Sequence, residues 1–190
     1  MVDENQVQSA VRSLLDAIGD DPHREGLQNT PLRVARMYSE MFSGVGVDAA
    51  SVIDAVFEEE DTHGGLVKLK DIPFHSICEH HLLPFYGRAN IAYIPKGRIA
   101  GASKLARALD VIAKRPQLQE RMTQQLADAI CKALDPDGVA VMLEAEHLCM
   151  SMRGVRKAGS SISTSAVRGS FWSEDINRDM LLASLGLAAE

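Results

Sequence analysis

The sequence predicts an α+β fold built on an antiparallel sheet. Helix-like and strand-like stretches fall in blocks, whereas an alternating parallel fold would interleave them. The order is helices, two strands, two helices, two strands and a last helix. The composition, 46% hydrophobic and 24% charged, is that of an ordinary globular protein. At 190 residues the chain is long enough for one domain with a real core. We divide it into a helical region, residues 1–65, and one sheet-bearing unit, residues 66–190.

The elements follow in order. Val7, Val11, Leu14, Leu15 and Ile18 repeat at helical spacing, and Gly19 and Pro22 end that helix. Thr30-Pro31 predicts a second start, with Thr30 as cap and Pro31 at the first helical position. Its stripe is Val34, Tyr38, Met41 and Phe42, and Gly44 closes it. Val47 to Phe57 reads as a third, shorter helix, and Glu58–Asp61 with Gly64-Gly65 as a solvated break. Residues 66–77 form a strand in which Pro73 marks an edge or a bulge. A second strand, Arg88 to Ile94, ends at Pro95-Lys96-Gly97. Ser103 to Lys114 is helical, with Leu105, Leu109 and Ile112 on one side. Pro116 opens another helix carrying Leu118, Met122, Leu126 and Ile130. After the turn Asp135–Gly138 come strands at Val139–Cys149 and Ser160–Val167. A helix from Ser173 to Leu187 closes the chain.

Composition narrows the function. Aromatics are 5% and the net charge is −6, which excludes a broad nucleic-acid surface. The charge is uneven: residues 1–61 carry 13 acids and 4 bases, residues 62–190 carry 13 acids and 16 bases. The basic share can still serve a phosphate-binding pocket. No apolar run predicts a membrane span, and the start MVDENQVQSA lacks the features of a secretory signal. Three cysteines suggest a reducing compartment, hence a cytoplasmic protein.

The densest chemistry lies in SICEHHLLPFYG, residues 76–87, and in His147-Leu148-Cys149. A turn lets Cys78 and His81 converge on one ion, and an extended segment puts His147 and Cys149 on one face. Thiolate with imidazole suits zinc. Cys78, His81 and Cys149 as three ligands would leave a fourth position for water, the catalytic arrangement. His80 and His147 would then stand free to move protons. Spacing alone leaves open the plainer reading, cysteines as small buried hydrophobes and histidines at the surface. Cys131 has no such neighbour and reads as core.

Five segments resemble the GTP cyclohydrolase I family in the family's order. They are GLQNTPLRVARMY (26–38), SICEHHLLPFYG (76–87), GASKLARALDVIAKRPQLQER (101–121), EAEHLCMSMRGV (144–155) and STSAVRG (163–169). The resemblance implies one zinc ion per subunit on Cys78, His81 and Cys149. It implies His80 as proton donor to nitrogen 7 of GTP, and His147 as a second catalytic histidine. Water activated on zinc would add to carbon 8, formate would leave, and 7,8-dihydroneopterin triphosphate would form. Glu120, with Gln119 beside it, would hold guanine, since one carboxylate accepts the ring N–H and the amino group together. Ser103, Lys104, Arg107 and Arg153 would hold the ribose and triphosphate, Ser103 also standing in the catalytic set, and Arg33 would arrive from a neighbouring subunit. Without the family, each of these charges reads as solvated surface.

The fold implied is the tunnelling fold. It is a four-stranded antiparallel sheet with two helices between its second and third strands, preceded by N-terminal helices. Such sheets join into a homodecamer of two stacked pentamers, which closes their open edges. Two alternatives remain at this point: a related enzyme using another metal or releasing another product, and a non-catalytic zinc-stabilised nucleotide-binding scaffold.

Overall fold

A computed structural model describes residues 2–58, 65–172 and residue 183. The helix expected at Ser173–Leu187, and His63, lie outside the described residues apart from that single position.

Two helices open the chain. Helix α1, Glu4–Ala17, is capped by Asp3, whose carboxylate accepts the Gln6 N–H at 3.0 Å. Helix α2, Thr30–Met41, takes Asn29 as its N-cap, one residue earlier than expected, with Pro31 in its first turn. The two pack as a hairpin, tied by Ser39 Oγ donating to Glu4 Oε1 at 2.8 Å. Gly44 then docks the hairpin on the body: its N–H donates to the Lys114 carbonyl at 2.9 Å. A Cβ at Gly44 would collide with the Val111 carbonyl, so only glycine allows that approach.

The third helix expected at Val47–Phe57 does not form. Asp48 caps a single 3-10 turn, Ala49–Val52, by accepting the Ala50 N–H at 3.0 Å. The chain then extends as β1, Val56–Glu58, which pairs antiparallel with β4, Arg98–Ala100. A short apolar run has no decisive period, and here a tertiary partner decides for strand. This pairing joins residues 49–58 to the body rather than to the hairpin.

The main sheet has the order β5-β2-β3-β6-β7. Strand β2, Val67–Cys78, and β3, Pro84–Ile94, form a long antiparallel pair. The irregularity in β2 lies between Leu69 and Ile72, where Asp71 has φ 56°, and not at Pro73, which stays in register with Arg88. Helices α3, Ala102–Ala113, and α4, Gln119–Leu134, separate β3 from β6, Gly138–His147. Pro116 does not start a helix. It and Gln117 form the two-residue strand β5, parallel to Ile77 and Cys78, and α4 begins only at Gln119. Strand β6 stops at His147, and Leu148–Ser151 turns as a short helix, α5, where the sequence predicted continued strand. Strand β7, Ser161–Gly169, pairs with β6 and forms the far edge.

The core lies between the sheet and the two inserted helices. Leu105, Leu109 and Ile112 of α3, with Met122, Leu126 and Ile130 of α4, pack on Phe74, Phe85, Ile91, Tyr93, Val141 and Leu143. Each such side chain contributes about 1.5–3 kcal/mol when fully buried. Cys131 packs half-buried against this core.

Candidate metal centre

The site gathers where β2 ends, β3 begins and β6 ends. Cys78 is the last residue of β2 and is buried. A tight turn follows it: the Cys78 N–H donates to the Leu83 carbonyl at 2.9 Å, and the Leu82 N–H to the Cys78 carbonyl at 2.9 Å. Leu82 sits at φ 52°, which reverses the chain and sets Glu79, His80 and His81 on the loop. The Glu79 N–H donates to the Gln117 carbonyl at 3.0 Å. Arg121 at the start of α4 grips the Glu79 carboxylate with two bonds, 2.6 and 2.9 Å. That guanidinium bond holds the Glu79 carboxyl below the usual range. The loop is therefore fastened to the helix end that carries Glu120.

His147 sits opposite Phe85 in the β3–β6 ladder, and their rings stack at 4.6 Å with 4° between planes. Cys149 lies in the first turn of α5. The donor atoms of Cys78, His147 and Cys149 all lie within 4.8 Å of one another. The expected convergence of the two cysteines is present. It arises through a helical turn after His147, not along an extended segment.

The third donor in this cluster is His147, where the sequence predicted His81. His81 is exposed, and its Nε2 meets Arg153 Nη1 at 3.0 Å. His80 is exposed beside it, the two rings 6.4 Å apart. Two thiols and imidazole are the donor chemistry zinc prefers, and atoms within 4.8 Å can share one ion at bond lengths of about 2.0–2.3 Å. Burial lowers the His147 pKa, and the Glu120 carboxylate opposes this. Burial raises the Cys149 pKa, the neighbouring Cys78 adds to that, and Arg153 opposes it.

Other expected residues fall elsewhere. Glu120 is exposed in the first turn of α4. Gln119 is not exposed beside it: it is 1% accessible and its amide is spent inside the protein. Its Nε2 donates to the Leu143 carbonyl at 3.1 Å and the Ile162 carbonyl at 2.7 Å, and its Oε1 meets His147 Nε2 at 2.8 Å. Ser103, Lys104 and Arg107 lie in the N-terminal half of α3, with Lys104 paired to Asp54. The C-terminal end of α3 is the one near the cysteines: Ser76, two residues before Cys78, donates to the Ala113 carbonyl at 2.7 Å. From Ser103 to Ala113 the helix rises about 15 Å. Arg107 stands about 9 Å along the axis from that end. Arg33 is exposed near the start of α2, in the hairpin.

Sequence reasoning missed Phe85, Arg121 and Thr164 as neighbours of the site. Arg121, adjacent to Glu120, had a visible cue in the acidic Glu79 beside the cysteine. Phe85 and Thr164 gave none, because strand register alone brings them in.

A thiol–imidazole cluster at a sheet end, flanked by exposed histidines and a carboxylate, has the make-up of a zinc hydrolase. The comparisons narrow the class. The sequence model of the GTP cyclohydrolase I family matches residues 7–186. The protein named GTP cyclohydrolase 1 of Carboxydothermus hydrogenoformans is 56% identical over 187 residues, 98% of this chain and 96% of that protein. Its namesake in Bacillus subtilis is 57% identical over 171 residues, 90% of this chain and 89% of that protein. The one in Clostridioides difficile is 58% identical over 171 residues, 90% of each. A crystal structure of the archaeosine synthase QueF-Like in the apo form superposes with a TM-score of 0.42 at 20% identity, over 55% of this chain and 94% of that one. That likeness is too loose to argue from. The chain belongs to the GTP cyclohydrolase I family.

Proposed function

We propose that this chain converts GTP and water to 7,8-dihydroneopterin triphosphate and formate, the first step of pterin and folate synthesis, with one zinc ion per subunit. The observation that carries the reading is the Cys78–Cys149 pair with the His147 imidazole in reach, in a chain that matches the family over residues 7–186. Cys78, Cys149 and His81 would hold the metal. His81 would reach it by turning about its exposed side-chain bonds, giving up its contact with Arg153. When bound, zinc supplies a Lewis acid that makes water nucleophilic near neutral pH.

The chain's own residues do the rest. Glu120, exposed on the first turn of α4, accepts the ring N–H and amino group of guanine and fixes the base in the site. His80 protonates nitrogen 7, which draws electrons from carbon 8 as the imidazole ring opens. His147, whose pKa burial lowers, accepts a proton. Ser103, Lys104, Arg107, Arg153 and Arg33 hold the ribose and triphosphate.

Ser103, Lys104 and Arg107 lie toward the end of α3 away from the thiols, which supports a site completed between subunits. We assign Ser103, Lys104, Arg107 and Arg33 to a neighbour's site in a homodecamer of the tunnelling fold, two stacked pentamers. Among the described residues β7 is the last strand of the sheet and β5 pairs with β2 only at Ile77 and Cys78, and a sheet with such ends favours closure by a second copy. Leu14, Ile18 and Met37 on the hairpin expose apolar surface for that packing. Among the described residues no helix is long and apolar enough to cross a membrane. A cytoplasmic location and a partner list without nucleic acid or membrane accord with this reading. Incubating zinc-loaded protein with GTP tests it: formate and a pterin that fluoresces after oxidation are expected, neither appearing with metal-stripped protein. Zinc-loaded protein that releases neither overturns it.

A further inference from the structure

Gln119 does something other than face the purine. Its amide group can sit only one way. Nε2 lies 3.1 Å from the Leu143 carbonyl oxygen and 2.7 Å from the Ile162 carbonyl oxygen, both of which only accept. Flipping the amide would set an oxygen against two oxygens, so Nε2 must be where it is. The same Nε2 is 3.2 Å from Thr164 Oγ1, which shares a 2.6 Å bond with Thr123 Oγ1. Thr123 in turn lies 2.7 Å from the Gln119 carbonyl oxygen. The network is closed and lies partly to fully buried, and it leaves Oε1 as the atom that meets His147.

An amide oxygen only accepts. The nitrogen it meets, His147 Nε2 at 2.8 Å, must therefore carry the hydrogen. Phe85 stacks flat on the imidazole at 4.6 Å and packs one face of the ring in this orientation. In the neutral ring the lone pair is then on Nδ1.

We propose that Gln119 is a positioning residue that fixes His147 as its Nε2–H tautomer, making Nδ1 the nitrogen that works in the site. The proposal rests on the reading above that the chain turns over GTP. It separates two roles that adjacent residues in one helical turn would otherwise share: Glu120 holds the base, and Gln119 holds the histidine. It also ties the histidine to β7 through the Ile162 carbonyl.

The test is the protonation pattern of His147 in zinc-loaded wild-type protein labelled with 15N-histidine, read by solid-state NMR and assigned by the signal lost in His147→Gln. The expected spectrum has a hydrogen on Nε2 and none on Nδ1. The reverse pattern overturns the proposal. Gln119→Met supplies the second reading. We expect kcat to fall about 10- to 100-fold, with KM for GTP nearly unchanged, zinc content retained and both tautomers visible. A rise in KM with kcat and tautomer unchanged would mean that Gln119 touches the base, and overturns the proposal. Should Gln119→Met fail to fold, the wild-type spectrum still decides. Should wild-type protein leave GTP intact, the functional reading fails while the tautomer is still measured.

Discussion

Phe85 links the fold to the site, and its truncation gives the sharpest quantitative expectation. The ring is fully buried, lies edge-on to Phe74 at 6.1 Å and stacks on His147 at 4.6 Å. Phe85→Ala removes the ring from a packed core and costs about 3–5 kcal/mol. Phe85→Leu keeps most of the volume and costs about 1 kcal/mol. For a chain of this length each kcal/mol shifts the melting temperature by about 2–4 °C. The expected losses are therefore about 10 °C for Phe85→Ala and about 3 °C for Phe85→Leu. Melts must be compared at one protein concentration, because assembly makes Tm concentration-dependent. Phe85→Leu should also lower kcat at a temperature where it is fully folded, because His147 loses its flat partner. A Phe85→Ala melt within about 2 °C of wild type would refute the packing described for this end of the sheet.

Cys149→Ser should lose zinc and turnover yet keep the assembly, read by metal analysis and size exclusion; loss of the fold would favour a structural zinc. His80→Ser should retain zinc and GTP binding while turnover disappears, and normal turnover would remove His80 from the proposed role. Glu120→Gln replaces an acceptor pair with one oxygen and one amide, and KM for GTP should rise about tenfold or more. Burial holds the Tyr93 phenol above its ordinary 10.0. The unfolded chain releases that proton first, so stability should fall as pH rises past about 10, and Tyr93→Phe should flatten this slope in denaturant titrations.

The four long helices were legible because each shows a clear apolar stripe. The same test failed at residues 47–57, where a short apolar run meets β4 and becomes strand. Pro116 carried a helix-start signal, but its neighbourhood is used for two parallel pairs with Ile77 and Cys78. Local chemistry cannot report such a partner. At the site, spacing to nearby histidines made Cys78 and Cys149 candidate ligands but left buried thiols open as the plainer reading, and the fold brings their sulfurs within 4.8 Å. Gln119 was not legible. Its partners Leu143, Ile162 and Thr164 lie 24, 43 and 45 positions along the chain, so only the folded sheet reveals that its amide points inward.

The most direct measurement follows one atom. Zinc-loaded protein is given GTP labelled with 13C at carbon 8, and formate and pterin are quantified together. The account predicts that the label leaves entirely as formate, one formate per dihydroneopterin triphosphate, with the triphosphate intact. Label retained in the product, or phosphate released without formate, would contradict it.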